Sequence, residues 1–594
     1  MQRVETFSSR PWFRLGWPVL VAAVAIGLGS VLSTALSGYF VFLGVSAITA
    51  AIAILGLGVV TGSAGMIALC QMTFAAIGAW AVAGLNLINA PGGFIVWLLA
   101  GGLAAGVAGV LVGLPALRLR GVNLAVVTLG FAAAADVTLV QLQFPGSADG
   151  VAVARPELFA TDRKYFFFSV IVLTLCALGV FFLQRSRIGS SWKSVAFSER
   201  GTASAGQSVR TAKLTAFAVS AALGGISGGL LAGQVQLPFA SSFTPLLSLA
   251  LYILAVMSGA HLIDMAIFGG IMWVAVPELL KRWGVPQDWG FVIFGLLGVQ
   301  ALTSGSTLGD AIRGALRRRR RAAPEHAVPQ LAAAGPEEEA APAAPAPVLQ
   351  DDAGQEAREP VLVVEGLSVR FGELKALDGV SFSLPEKGIM GLIGPNGAGK
   401  STFVDALSGF LPRHGGTVLL DGADLAGLTP TERARRGLRR SYQQDRVPPE
   451  LTVEAYLRFV ARTRLSREEI DGTLVFFGCP PATERLSGVD VGTRRIVEVA
   501  AAVLARPRVL ILDEPAAGLS HEEHLALAQR LKAIPERFGV ALIIIEHDLD
   551  LVRSVCPWLT VLDFGKVIAS GRQAEVMADP AVLAAYLGTT EMIA

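Results

Sequence analysis

An all-α polytopic membrane domain joined to a C-terminal α/β domain is the fold class this sequence predicts, and three observations predict it. The 594 residues are 53% hydrophobic with a mean hydropathy of +0.57, too apolar for an ordinary water-soluble chain. The apolar residues are concentrated in long, charge-poor runs before residue 316, whereas residues 360–594 have a soluble composition. GPNGAGKS at 394–401 fits the phosphate-loop pattern GxxxxGK[ST], with an apolar strand pattern before it and a helical one after it. The implied boundaries are 1–316 for the membrane domain, 317–358 for a linker and 359–594 for the nucleotide-binding domain.

A membrane-spanning helix needs about 20 apolar residues. Segments near 15–37, 39–61, 66–90, 92–117, 121–143, 165–184, 212–234, 245–260, 262–280 and 287–305 meet that need, giving about ten spans. The count falls to eight if 62–75 or 245–280 is re-entrant. The N-terminus has the basic start and apolar core of a signal peptide, but its run is long and further apolar segments follow at once, so it reads as an uncleaved first span. Arg3, Arg10, Arg14, Arg118, Arg120, the cluster from Arg185 to Lys213, and Arg313 with Arg317–Arg321 all fall on one side if both termini are cytoplasmic. Lys281 and Arg282 fall on the outer side, a mild violation. The expectation is a multi-pass protein of the cytoplasmic (inner) membrane, embedded in the lipid bilayer, with both termini and the nucleotide-binding domain in the cytoplasm.

Glycine pairs at 101–102, 224–225, 228–229 and 269–270 suit close helix packing. Asp136, in FAAAADVTLV, is either an intramembrane carboxylate with a function or a residue near a helix end that meets water. The loop QRSRIGSSWKSVAFSERGTASAGQSVRTAK, 184–213, is too long and polar for a tight turn; a short helix there would dock on a soluble domain, or the loop only sets topology. RRRRR at 317–321 is a topology signal beside anionic lipid, and the Pro/Ala/Glu-rich stretch to 358 reads as a disordered tether. A formal net charge of +2 points to no nucleic-acid partner, and Cys70, Cys176, Cys479 and Cys556 fit neither a zinc nor a disulfide framework.

The phosphate loop runs through Gly394, Pro395, Asn396, Gly397, Ala398 and Gly399, where the glycines let backbone N–H groups wrap phosphate without a Cβ clash, and the helix opening at Lys400-Ser401-Thr402 adds the positive end of its dipole. Lys400 would reach the β- and γ-phosphates of ATP and Ser401 would hold Mg2+. RVLILDEP ends an apolar strand in Asp513, placed to support Mg2+, and Glu514, placed to polarise an attacking water. LIIIEH ends another such strand at His547, read as a γ-phosphate contact. A lone histidine is more often structural, but this one ends a core strand as Asp513 does.

The soluble half resembles the ATPase domain of ABC transporters, in particular the ATPase subunit of high-affinity branched-chain amino acid importers. GPNGAGKST, RRSYQQ, LDEPAAGL, IIIEHD and VIASGRQAEVMADPAVLAAYLG carry the resemblance. It implies that Phe371 stacks on adenine and that Gln443 is the switch-loop glutamine, serving both catalysis and the metal. The membrane half is similar to the matching permease subunit in PALRLRGVNLAVVTLGF, SRIGSSWKSVAF and RTAKLTAFAVSAALGGISGGLLA. Where that family shows Gly-Gly-x-Gly this chain has VMSGAHLID. The resemblance implies a branched-chain or related amino acid as substrate, and that departure leaves urea, an amide or an organic acid as the alternative.

The family's spacing, counted back from Asp513, places the signature that reads a partner's nucleotide on Val489, Asp490, Val491, Gly492 and Thr493. LSG at 486–488 is then a decoy, and the signature is degenerate: Asp490 replaces the serine that should donate to phosphate. Two like charges at 4 Å cost about 4 kcal/mol at an effective dielectric near 20. Either that repulsion impairs the partner's site, or Asp490 is protonated, or a loop shift brings Ser487 in. The resemblance implies ATP-driven import by one half of a pair, working with a homologous second half and an external binding protein that delivers the small-molecule substrate. A membrane-anchored ATPase that gates or signals, and an exporter, are the competing readings.

Overall fold

The ten apolar segments all form helices in the computed structural model, which describes residues 11–119, 121–304, 307, 309, 359–442, 446–517, 519 and 521–587. They are α1 (Pro11–Ala35), α2 (Gly38–Leu57, continued by a π-turn at Gly58–Ser63), α3 (Gln71–Leu87), α4 (Gly93–Ala116), α5 (Val122–Leu142), α6 (Asp162–Arg185), α9 (Val209–Val235), α10 (Pro245–Ser258), α11 (Ile263–Arg282) and α12 (Trp289–Ser304); α7 (Arg187–Phe197) and α8 (Glu199–Ser204) occupy the basic loop between α6 and α9. The chain divides into two units. One comprises Met1–Trp192 and Arg210–Ala327, the other Lys193–Val209 and Val328–Ala594. The linker at 317–358 lies outside the described residues.

Among the described residues eight helices are long and apolar enough to cross a membrane. That is the lower of the two expected counts, and two further apolar helices are shorter. The short ones are α3, of 17 residues, and α12, of 16, whereas in the 245–280 pair α11 is long enough and α10 becomes so with the 3-10 turn before it, as Ala240–Ser258. The reason for the short α3 is local. The backbone from 65 to 70 is not helical and mostly buried, so its amides need other partners. Leu69 N donates to Thr128 Oγ1 at 3.0 Å and Met72 N to Ser248 Oγ at 2.9 Å. Gln71, 1% exposed, donates from Nε2 to the carbonyls of Ala53 and Ser220, both at 3.1 Å, and its Oε1 accepts from Ser220 Oγ at 3.2 Å. Hydropathy averages over such a break and cannot register it.

Helix α1 turns Trp17, Val21, Val24, Leu28 and Val31 outward, the surface a lipid-facing helix presents, while α2 and α9 are mostly buried. The glycines of α9 set how near its neighbours come. A Cβ on Gly228 would lie 1.8 Å from the carbonyl oxygen of Ala75 in α3, and one on Gly78 of α3 would lie 2.1 Å from Gly225 O. Backbone meets backbone at both places, which is the packing the glycine pairs imply. Asp136 sits in the last two turns of α5, half-buried, which favours the helix-end reading.

In the second unit a four-stranded antiparallel sheet, in the order β2-β1-β4-β5, joins β1 (Pro360–Phe371), β2 (Leu374–Pro385), β4 (Gly415–Leu420) and β5 (Ala423–Asp424). A six-stranded sheet, in the order β10-β9-β3-β8-β7-β6, joins β3 (Ile389–Ile393), β6 (Leu438–Arg440), β7 (Val509–Asp513), β8 (Ala541–Ile545), β9 (Trp558–Asp563) and β10 (Lys566–Arg572). Strands β3 and β8 are buried at every position, which is why IMGLI and ALIII read as unbroken apolar runs rather than alternating ones. β3, β8 and β7 run parallel and end in register, Leu392 beside Ile545 and Ile545 beside Asp513.

The segment 193–209 is packed into this unit. Ala205 joins the cluster around Leu457, Val497 and Leu486, Gln207 Nε2 donates to Phe459 O at 2.7 Å, and Arg435 Nε donates to Gly206 O at 3.0 Å. Of the two readings of the basic loop, the structure bears out docking.

The α9 packing yields a prediction. Gly228→Ala forces α9 away from α3 and lowers the thermal transition of the detergent-solubilised chain, by about 1–3 kcal/mol of stability. Gly130→Ala in α5, where a Cβ meets nothing within 4 Å, is neutral or slightly stabilising.

Candidate nucleotide site

The phosphate loop leaves β3 at Gly394 and enters the helix Lys400–Leu407. Gly394 has φ 150°, and a Cβ there would lie 2.2 Å from Leu562 O; Gly399, the left-handed cap with φ 101°, would put one 2.7 Å from Ala376 O. Only glycine fits either position, so the loop can lay bare backbone against a ligand. Lys400 Nζ donates to Pro395 O at 3.0 Å and also to Gly394 O. Burial pulls its pKa down, against the nearby carboxylates of Glu514 and Asp513, which raise it. Ser401 is exposed at the first turn and Thr402 is half-buried.

Because the strands end in register, Asp513 and Glu514 after β7 and Glu546 and His547 after β8 reach the same edge of the sheet. Asp513 Oδ2 accepts from Arg440 Nη2 at 2.8 Å. Glu514 is turned outward by a left-handed backbone, φ 48°, and is pinned by its N–H to Ile545 O at 2.9 Å. His547 Nδ1 lies 3.6 Å from Glu514 Oε1, and its ring is largely exposed. Arg495, on the helix Val491–Leu504, donates from Nη1 to Ala517 O at 2.5 Å and so holds the turn that follows Glu514.

These contacts bring together Lys400, Asp513, Glu514 and His547. Phe371 ends β1 with its ring 52% exposed, open to a stacking partner. Gln443 lies outside the described residues. LSG forms a separate turn of 3-10 helix, and Asp490 caps the helix Val491–Leu504 by accepting from Thr493 N at 2.9 Å. Hydrogen bonding from the Thr493 side chain, and then from its amide, holds the Asp490 carboxyl below the usual carboxylate range, so it is charged at neutral pH. Ser487 and Asp490 are both exposed, and Gly492 is buried.

Sequence reasoning missed three residues. Arg440 and Asp405 form an ionic chain to Asp513, and nothing in their local pattern marks them, since they are distant in sequence. Glu546 stands beside His547 in IIIEHD, where a carboxylate directly after a run of buried isoleucines is a readable signal.

No group of three or more His, Cys, Asp or Glu side chains that could hold a metal occurs among the described residues. One hydroxyl at Ser401 and one carboxylate at Asp513 fit Mg2+, which takes few protein ligands and is completed by phosphate oxygens and water. The glycine cradle at 394–399 fits the phosphates themselves.

Glu546 is 2% exposed, and burial pushes its carboxyl up to about 7; Glu514 adds to the rise, while Ala516 N–H and His547 oppose it. Its Oε1 accepts from Ala516 N at 3.3 Å, steadying the turn after Glu514. The folded state therefore holds this proton more tightly than the unfolded chain does. Its contribution to stability is complete below the ordinary glutamate range and is lost as pH rises through about 7. Glu546→Gln, which keeps the acceptor and cannot ionise, should flatten that slope and raise the melting temperature at pH 8 relative to the parent. Thermal melts of the full chain between pH 5 and 8 check it.

Three family models match the chain. Residues 39–302 match the branched-chain amino acid transport system / permease component, 377–517 the ABC transporter, and 566–591 the branched-chain amino acid ATP-binding cassette transporter. The high-affinity branched-chain amino acid transport ATP-binding protein BraF of Pseudomonas aeruginosa is 34% identical over 253 residues, 39% of this chain and 98% of its own length. LivG of Escherichia coli strain K12, the high-affinity branched-chain amino acid transport ATP-binding protein, is 32% identical over 39% of this chain and 98% of its own. A solved nucleotide-free ATP-binding cassette from an ABC transporter is 28% identical, covering 39% of this chain and 100% of its own, with a TM-score of 0.35. With a permease and an ATPase of one system matched on a single polypeptide, this chain belongs to the branched-chain amino acid ABC transporter family, as a fused permease and ATP-binding subunit whose ATPase is coupled to transport.

Proposed function

We propose that the chain imports a small polar solute, a branched-chain or related amino acid, as one half of a pair with a homologous second half, fed by an external substrate-binding protein. The observation that carries this is the meeting of Lys400, Asp513, Glu514 and His547 at one sheet edge, in a chain whose described residues also include eight candidate spans. The membrane domain is 1–316, the tether 317–358 and the ATPase 359–594, with both termini and the ATPase on the cytoplasmic face of the cell membrane.

In this reading the amides of Gly394–Thr402 and the Lys400 ammonium bind the phosphates, and Phe371 stacks on adenine. Ser401 and Asp513, with Gln443, hold Mg2+, which when bound supplies charge neutralisation at the phosphate oxygens. Glu514 polarises the attacking water, and His547 orients Glu514 and contacts the γ-phosphate. The exposed carboxylate of Asp490 faces the partner's nucleotide and weakens closure there, making the pair asymmetric, with one competent site and one impaired.

Vesicles containing the assembled pair and its external binding protein should take up labelled leucine, isoleucine or valine in the presence of ATP. Glu514→Gln should abolish that uptake while nucleotide binding persists, and Lys400→Ala should weaken binding itself. Normal hydrolysis by Glu514→Gln would refute the role of Glu514, and an external protein that binds sugar or metal but no amino or carboxylic acid would refute the substrate.

The signature is tested separately. Asp490→Ser should tighten nucleotide binding or speed turnover at the partner's site by roughly ten-fold or more, the scale of a like-charge repulsion removed. Ser487→Ala should change little. The reverse pattern, measured by nucleotide titration of the pair, would identify LSG as the working signature.

A further inference from the structure

Asp513 is the inner end of a chain of alternating charges. Its Oδ2 accepts from Arg440 Nη2 at 2.8 Å, the same guanidinium bonds Asp405 through Nη1, and Asp405 Oδ2 lies 3.3 Å from Arg200 Nη1 on α8. Side-chain exposure is high only at its outer end. Arg200 is 53% exposed, Asp405 18%, Arg440 6% and Asp513 14%, so solvent screens the outer end and hardly reaches the inner one. A second route ties the same elements. Tyr442 OH pairs with Ser204 Oγ at 2.6 Å and donates to Arg200 O at 3.2 Å, while the Arg440 guanidinium lies 4.7 Å from the centre of the Tyr442 ring.

We propose that Asp405 and Arg440 are positioning residues that tune the Asp513 carboxylate for Mg2+ and make it sensitive to Arg200, so that the docked loop 193–209 sets metal affinity at the nucleotide site. The inference rests on the reading that Asp513 serves Mg2+.

The direction follows from the alternation. Arg440 is shared between two carboxylates, and whatever strengthens its bond to Asp405 weakens its hold on Asp513. Arg200 draws on Asp405. When Arg200 withdraws, Asp405 acts on Arg440 alone, Arg440 neutralises Asp513 less, and Asp513 is freer to serve the cation. When Asp405 loses its charge, Arg440 turns wholly to Asp513 and competes with the cation for it. Arg200 and Asp405, neighbours in one chain, thus act with opposite sign, which a purely structural role would not produce.

The test is the Mg2+ dependence of binding of a fluorescent ATP analogue to the full chain, paired with Mn2+ binding read by electron paramagnetic resonance. Asp405→Asn should raise the Mg2+ concentration needed for half-maximal binding by roughly three- to ten-fold, the range for coupled neighbours. Arg200→Gln, at the exposed end, should lower it by about two-fold. The double variant should behave as Asp405→Asn alone, because the effect of Arg200 passes through Asp405. Shifts of the same sign, or additive shifts in the double variant, would overturn the proposal. Should Asp405→Asn fail to fold, the Arg200→Gln shift decides alone, and no shift or an upward one overturns it. Asp513→Asn is the reference: if it leaves the Mg2+ dependence unchanged, the metal role of Asp513 fails, whereas a large Asp513→Asn effect with a silent Asp405→Asn defeats the relay only.

Discussion

The parallel pairing of β3 with β8 and of β8 with β7 ends with Leu392, Ile545 and Asp513 side by side, and the chemistry of this protein depends on that alignment. Each strand is a short apolar run buried on both faces, and each burial of an Ile or Leu side chain contributes about 1.5–3 kcal/mol. The run ends where the first polar residue must reach solvent. Because the runs stop together, the groups that follow them meet: the phosphate loop after β3, Asp513-Glu514 after β7, Glu546-His547 after β8. A slip of one residue in any pairing would turn those side chains to opposite faces of the sheet.

Placing three carboxylates at one edge creates an electrostatic problem, and each is handled differently. Asp513 is paired with Arg440, Glu514 is turned out by a left-handed backbone toward Lys400 and His547, and Glu546 is buried with its pKa raised. The three therefore present three chemistries: a carboxylate placed for a cation, one placed for a water, and an acid that steadies the turn between them.

In the membrane unit the same demand for satisfied backbone acts in a medium without water. The non-helical stretch before α3 persists because Thr128 accepts the Leu69 amide, Ser248 accepts that of Met72 in the first turn of α3, and Gln71 bridges α2 and α9. Contacts this tight need glycines where α9 meets α3, so the break and the glycine pairs belong to one packing arrangement.

Much of this was legible in the amino-acid sequence, because it depends on local pattern. The apolar runs marked the ten helices, GPNGAGKST marked the phosphate loop, and LILDEP and IIIEH marked strands ending in polar groups. The basic loop 184–213 announced a docking element by its length. What the sequence could not carry was anything dependent on distant residues meeting. That α3 starts late is decided by a hydroxyl 59 residues away, and that Asp513 is shared with Arg440 by a pairing 73 residues apart. Asp490 shows both sides: its spacing from Asp513 placed it at the start of a helix, but only the folded turn shows its carboxylate holding the Thr493 amide. Composition and periodicity decide which segments become helices and strands, since those rest on neighbours along the chain; which charges neutralise one another, and which polar groups replace missing helical bonds, is decided by tertiary packing, since it rests on neighbours in space.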